Sequence, residues 1–262
     1  VGKTTGIAWT DHTFNPWWGC TRVSPGCDHC YADAWAQRTG LHLWDGGERR
    51  FFSDKHWAEP LSWNAQARKE RTRRRVFCAS MCDVFEDPPH YEVQCRLNTE
   101  RDRLWELIAR TPALDWLLLT KRPENMRAFV PRSWAGGWPA NVWAMATIEN
   151  QPDIDPRMDA RLGALLRVPA EVRGISAEPL LGLWSIAPWL QGRIHWLIIG
   201  CEKLPGNRPG RRCLPETILS LVIEAKIAGV AAFVKQVEIN GRVSADPAEW
   251  PEELRVQEFP VF

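Results

Sequence analysis

Three cysteines, Cys20, Cys27 and Cys30, stand in GCTRVSPGCDHCYA (residues 19–32) with the spacing C-x6-C-x2-C. A structural zinc takes four protein ligands and disulfides use thiols in pairs, so a trio suits neither well. Thiolates also ligate iron–sulfur clusters, and three of them on a four-iron four-sulfur cluster leave one iron open to a substrate or cofactor. Gly19, Pro25 and Gly26 allow the backbone to curl around a compact inorganic core, and YADAWAQR, from Tyr31 onward, reads as a helix that anchors the third ligand. The competing arrangement is a zinc site completed by His29 or His12, because three Cys and one His form a known structural set.

Such a loop needs a scaffold. Apolar runs at 76–80 (VFCAS), 116–120 (WLLLT), 142–147 (VWAMAT), 172–177 (VRGISA), 194–200 (IHWLIIG) and 231–235 (AAFVK) read as strands, most of them separated by helical patterns. In LNTERDRLWELIAR, residues Leu97, Leu104, Trp105, Leu107 and Ile108 mark one buried helical face. DIDPRMDARLGALLR and PETILSLVIEAKIAG read as further helices, the second ended by Gly229. The alternation predicts an α/β chain with a parallel sheet, either a complete or partial barrel or an open doubly wound sheet. The strand ends read SMCDVF, TKRPEN, TIENQ, SAEPL, GCEK and KQ, too polar for closed core. With no linker or repeat, residues 1–262 read as a single domain, with the cluster loop at 19–31.

The segments TDHTFNPWWGCTRVSPGCDHCYA, RVFCASMCDVF, LDWLLLTKRPENM, NVWAMATIEN, SAEPLLG and FVKQ together span nearly the whole chain. On them the sequence resembles the radical S-adenosylmethionine superfamily, and more closely a group of bacteriophage and prophage proteins named for their three-cysteine motif. It departs from the superfamily's usual spacing, in which three residues rather than six separate the first two cysteines, and His29 stands where an aromatic residue often precedes the third. The resemblance implies a partial (β/α) barrel of the radical S-adenosylmethionine type, with parallel strands and outer helices. It implies a 4Fe-4S cluster on Cys20, Cys27 and Cys30, S-adenosylmethionine as cofactor, an electron donor as partner, and a 5′-deoxyadenosyl radical that abstracts hydrogen from a substrate.

The same resemblance suggests where the cofactor sits. Ser80 and Asp83 follow the first strong strand, and Asp83 is the first candidate for the methionine ammonium; a loop or helix cap is its plain structural alternative. Thr147, Glu149 and Asn150 are candidates for the ribose hydroxyls, as are Ser176 and Glu178, with solvated loop positions as the alternative. Lys121 and Arg122 could neutralise the methionine carboxylate or meet an anionic substrate, and Lys235 and Gln236 share that ambiguity with simple surface polarity.

Composition bounds the partners. A net charge of +1 and a pI near 7.7 exclude a generally basic surface, although RKERTRRR (68–75) could contact phosphates if it is not a solvated helix face. A nucleotide, DNA or RNA is the first expectation for the substrate, with a peptide or partner protein as the alternative. GKTT (2–5) imitates the end of a phosphate loop without its upstream glycine. No run is long enough to span a bilayer, so the expectation is a cytoplasmic protein with reduced thiols and no membrane partner. Of the other cysteines, Cys78, Cys82, Cys95, Cys201 and Cys213, burial is the expected state and an auxiliary cluster the alternative. Among the 16 tryptophans, Trp105, Trp116 and Trp196 fit core patterns, whereas Trp17, Trp18, Trp35 and Trp44 could stack on a base. A non-catalytic, metal-stabilised phage binding protein is the reading from a different class.

Overall fold

The computed structural model describes residues 5–46, 48–204 and 207–261; all but Thr5 of the GKTT segment lies outside them. The strands are β1 (His12–Thr13), β2 (Trp17–Trp18), β3 (Arg50–Phe51), β4 (Arg74–Cys78), β5 (Leu114–Thr120), β6 (Val142–Thr147), β7 (Val172–Ala177), β8 (Trp196–Gly200), β9 (Lys203–Leu204), β10 (Arg208–Pro209), β11 (Ala231–Ile239) and β12 (Arg242–Ser244). The helices are α1 (Tyr31–Arg38), α2 (Asp54–Glu70), α3 (Tyr91–Arg110), α4 (Met126–Phe129), α5 (Pro156–Leu166), α6 (Ala187–Leu190) and α7 (Pro215–Ala228).

The main sheet has the order β1-β4-β5-β6-β7-β8-β11-β12. Parallel register is set by His12 opposite Val76, Arg74 opposite Leu114, and Trp196 opposite both Gly174 and Ala231. Strand β12 is antiparallel, turning back on β11 with Val237 opposite Ser244. Residue contacts divide the chain into two compact units. One comprises Val1–Val23, Ala32–Ala144 and Val168–Glu171; the other comprises Ser24–Tyr31, Met145–Arg167 and Val172–Phe262.

The strands form where continuous apolar runs can be buried on both faces, as parallel sheets covered by helices require. Every residue of β6 and of β8 is buried, and each fully buried Leu, Ile or Val contributes roughly 1.5–3 kcal/mol relative to exposure. Trp105, Trp116 and Trp196 are core residues as expected. On α3 the expected face is buried, but the helix begins at Tyr91, six residues before the periodic pattern. Helix α5 opens on Asp155, whose side chain accepts from Arg157 N at 3.0 Å, with Pro156 in its first turn. Helix α7 ends at Gly229, whose φ of +68° permits the left-handed cap.

The basic run departs from expectation. Residues 68–70 end α2, Arg71 caps it in a left-handed conformation (φ +54°), and Arg74 and Arg75 open β4, two residues ahead of the expected strand start. Three of its arginines pair within the chain: Arg73 with Asp115 at 2.6 Å, Arg74 with Glu70 at 2.5 Å, and Arg75 with Asp11 at 3.4 Å. The run is therefore neither one helical face nor an unbroken set of cations facing outward.

Candidate metal centre

In the first unit the Cys20 arm is positioned by β2 and its glycine. Trp17 and Trp18 pair with Phe51 and Arg50. Gly19 then turns with φ +109° and donates to Met81 O at 3.0 Å, bridging to Cys82. A Cβ there would stand 2.8 Å from Arg49 Cδ, so glycine is needed both for the turn and for the close approach. Two buried arginines grip the next residue: Arg49 Nη2 donates to Thr21 Oγ1 at 3.1 Å and Arg122 Nη2 to Thr21 O at 2.5 Å. Arg49 is in turn paired with Glu86 at 2.6 Å.

Arg122 also reaches the ligand itself. Its Nη1 lies 3.6 Å from Cys20 Sγ and 2.8 Å from Asp83 Oδ2. Asp83 is 6% exposed, and its remaining acceptor positions receive Phe85 N at 3.0 Å, Thr120 Oγ1 at 2.6 Å and Lys121 N at 3.2 Å. Burial works to raise the Asp83 pKa, but Arg122 and these donors overcome it and hold the carboxyl below its usual range. Burial likewise opposes the Arg122 charge, and Asp83, Cys20 and Glu86 keep it protonated. Burial pushes the Cys20 thiol up to about 12, against the pull of Arg122. A metal binding there must displace the proton.

In the second unit the loop 24–31 is held from two sides. A 3-10 turn at Pro25–Cys27 is closed by Cys27 N to Ser24 O at 2.8 Å, followed by Cys30 N to Cys27 O at 3.3 Å. Glu149, 1% exposed just past β6, accepts from Ser24 Oγ at 2.6 Å, Gly26 N at 2.8 Å and Arg161 Nη1 at 3.1 Å. A Cβ on Gly26 would come within 2.6 Å of both Glu149 carboxylate oxygens. On the other side Glu202, 6% exposed after β8, accepts from Arg211 N at 2.8 Å, Arg211 Nε at 3.0 Å and the His29 ring at 3.0 Å. Arg211 Nη1 continues to Pro25 O at 2.8 Å. Burial tends to raise the Glu202 pKa, but the Arg211 and His29 hydrogen bonds bring it down to about 2.

The expected cofactor residues fall into both units. In the first, Ser80 is half-buried beside Asn15 at 3.2 Å and Lys121 is half-buried after β5. Asp83, expected to take an ammonium, has both oxygens filled by donors of its own chain; a carboxylate offers about four such positions. In the second, Thr147 and Ser176 are buried near the ends of β6 and β7, and Asn150 is half-buried with its Oδ1 accepting Gln151 N at 2.9 Å. Glu149 is occupied by the loop rather than left open for a ribose. Glu178 pairs with Lys235, and Gln236 Nε2 lies 3.5 Å from it. Sequence reasoning missed Arg49, Glu86, Arg161, Glu202 and Arg211. Isolated Arg and Glu carry no burial signal, although an acid directly after a strand, as in TIEN and GCEK, marks the two anchors.

The two histidines of the zinc alternatives are placed differently. His12 stacks flat on Trp63, 4.3 Å between centroids, and His29 pairs with Glu202 through Nδ1 alone. Among the described residues no group of three or more His, Cys, Asp or Glu side chains is placed to hold one metal ion. A cluster differs, since each thiolate takes a different iron. All eight cysteines are free thiols. Cys82 has Cys78 and Cys20 close enough to raise its pKa further beyond the effect of burial, Cys213 hydrogen-bonds Cys201, and Cys95 is exposed on α3. Of the tryptophans expected to stack on a base, Trp17 is buried and Trp44 half-buried; Trp18 is covered by Arg50 at 4.7 Å, and Trp35 is 38% exposed.

A family model described as "Protein of unknown function (DUF5131)" matches residues 4–249. The chain belongs to the DUF5131 family. No match was found among curated protein sequences. Among solved structures this DUF5131 chain is similar to a cysteine-to-serine mutant of spore photoproduct lyase at 13% identity and TM-score 0.54, covering 89% of this chain and 80% of that one. It is similar to a cysteine-to-alanine mutant of spore photoproduct lyase with dinucleoside spore photoproduct at 14% identity and TM-score 0.52, covering 83% and 74%. It is also similar to a radical SAM methyltransferase from Sphaerobacter thermophilus at 14% identity and TM-score 0.50, covering 89% and 70%. These likenesses show the fold: the α/β, parallel-stranded partial-barrel class of radical S-adenosylmethionine enzymes. No helix among the described residues is long and apolar enough to cross a membrane.

Proposed function

We propose that this DUF5131 protein is a radical S-adenosylmethionine enzyme in which Cys20, Cys27 and Cys30 ligate a 4Fe-4S cluster. The observation that carries the reading is that in each unit arginine–carboxylate pairs direct their donors and acceptors at the cysteine-bearing segment: the buried pairs Arg122–Asp83 and Arg49–Glu86 at Cys20 and Thr21 in the first, and the buried Arg161–Glu149 with the half-buried Arg211–Glu202 at Ser24, Pro25, Gly26 and His29 in the second. Buried ion pairs are costly to assemble and give no guaranteed stability. Two buried pairs aimed at Cys20 and Thr21 in one unit, and one aimed at residues 24–26 in the other, argue that the conformation of each segment matters. The donor set fits the group, since three free thiols and a neighbouring guanidinium suit a negatively charged cluster.

When bound, the cluster and S-adenosylmethionine supply, with an electron from an external donor, a 5′-deoxyadenosyl radical that takes hydrogen from the substrate. The chain's own part is to orient the cofactor and keep water out. Lys121 is offered to the methionine carboxylate. Ser80, Thr147, Asn150, Ser176 and Glu178 are offered to its polar groups, while Asp83 and Glu149 hold the loop. A nucleotide or nucleic acid is the favoured substrate class; the support is the phage-group resemblance and the dinucleoside photoproduct in the similar lyase structure. The paired arginines of 68–75 give it no support.

The test is anaerobic reconstitution followed by iron and sulfide counting and an assay for 5′-deoxyadenosine. The expected result is about four irons per chain with matching sulfide, lost for the most part in Cys20→Ala, Cys27→Ala and Cys30→Ala. Full iron in all three variants, or zinc without sulfide in the parent, refutes the reading.

A further inference from the structure

Resting on the cluster reading above, we propose that Arg122, braced by Asp83, is a positioning residue that serves as the counter-charge and hydrogen-bond donor to the Cys20 ligand and sets the cluster's reduction potential. The guanidinium is buried, with its side chain 8% exposed, and every contact has a distinct direction: Cys20 Sγ at 3.6 Å and Asp83 Oδ2 at 2.8 Å from Nη1, and Thr21 O at 2.5 Å from Nη2. The Arg122 backbone is fixed as well, donating to Thr120 Oγ1 at 2.8 Å, the same hydroxyl that donates to Asp83. A planar fork with five donors can make these contacts together; an ammonium cannot.

The charge balance gives the arrangement its consequence. With Cys20 as a thiol, Arg122 and Asp83 neutralise each other and no buried charge is left alone. With Cys20 as an iron-bound thiolate, the same cation faces two anions. A positive charge and a donor at a ligand sulfur stabilise the more negative, reduced state of a cluster, because net charge and hydrogen bonds to sulfur are what set such potentials. Removing the cation must therefore lower the potential, and removing the carboxylate behind it must raise it.

The experiment compares the reconstituted full chain with Arg122→Gln, Arg122→Lys and Asp83→Asn. Each is titrated with dithionite under EPR without substrate, alongside iron and sulfide counts. The expected result is a midpoint potential below the parent's in Arg122→Gln, above it in Asp83→Asn, and closer to the parent's in Arg122→Lys. A purely structural role predicts that variants lose iron together while the residual cluster keeps the parent's potential. If Arg122→Gln does not fold, a midpoint above the parent's in Asp83→Asn with Arg122→Lys at or below the parent's supports the proposal, and an unshifted or lowered midpoint in Asp83→Asn overturns it. Unshifted potentials, or shifts of one sign, in variants that retain the cluster overturn this proposal alone; a parent that assembles no cluster overturns the function on which it rests and takes this inference with it.

Discussion

Gly26→Ala isolates the Glu149 anchor by adding one methyl group. Gly26 has no positive φ, so alanine suffers no backbone strain and the effect is steric. The new Cβ would stand 2.6 Å from both Glu149 carboxylate oxygens, well inside the shortest ordinary contact of about 3.4 Å. Either the carboxylate or the loop must retreat, breaking the Gly26 N and Ser24 Oγ bonds while the Arg161 contact survives. Two hydrogen bonds to a buried charge amount to about 3–6 kcal/mol if wholly lost. Partial relaxation of a surface loop brings the expected loss to about 3 kcal/mol, or roughly 6–12 °C in Tm for a chain of this size. Calorimetry of the cluster-free protein reads the loss, hydrogen exchange locates it at residues 24–30, and iron retention after desalting reads its functional side. Gly137→Ala is the control, with open space at its Cβ, ordinary φ and an expected effect within about 0.5 kcal/mol. A Gly26→Ala protein that melts with the parent, exchanges at the parent's rate over 24–30 and keeps its iron would refute the Glu149 anchor.

The Glu202 carboxyl, at about 2 against an ordinary value of 4.5, predicts a pH-dependent contribution. Its folded pKa is depressed, so the stabilisation is present above about pH 4.5 and is lost as pH falls toward 2. Urea unfolding should find Glu202→Gln less stable by about 2–3 kcal/mol at pH 7, with the gap shrinking between pH 5 and 3; a gap independent of pH counts against it. Because Asp83 is filled by its own chain, Asp83→Asn should leave S-adenosylmethionine affinity within about threefold, under 1 kcal/mol, measured by equilibrium dialysis on iron-loaded protein; a drop of tenfold or more restores Asp83 as the ammonium site. Changing Arg71, Arg73, Arg74 and Arg75 together to Gln should cost stability through the lost Asp115, Glu70 and Asp11 pairs and leave the salt dependence of oligonucleotide binding unaltered. A flatter slope in fluorescence titrations at two salt concentrations would assign that run to phosphates after all.

The parallel strands were legible because their signal is local: β6 and β7 match the apolar runs at 142–147 and 172–177 to the residue. The two-residue strands β1 to β3 are too short for any periodicity to declare them. Helix α2 was hidden by Pro60 within it and by a polar sequence whose core contacts rest on Trp57, Asn64 and Ala67. The basic run does not form one helical face, and charge density in sequence says nothing about partners. Asp115 lies 42 residues from Arg73, and Asp11 lies 64 residues from Arg75.

The cysteine trio was legible in full as a motif, whereas what holds it was not, and the reason is physical. Arg is ordinarily exposed, and nothing in the local context of Arg49, Arg122 or Arg161 reports that the fold closes over them. Burial of a guanidinium is tolerable only with a carboxylate supplied from elsewhere in the chain. Two of the pairs therefore join positions well separated in sequence, Arg49 with Glu86 and Arg122 with Asp83; Arg211, half-buried and paired with nearby Glu202, reaches through Pro25 O to the loop 186 residues away. Polar residues at strand ends were read as facing a ligand because that is where such folds bind one. Asp83, Glu149 and Glu202 instead accept donors from their own chain. Asp83 reaches the backbone beside Cys20 through Arg122, and Glu149 and Glu202 accept directly from residues of the loop 24–31, so each acid acts on the cysteine-bearing backbone of its own unit.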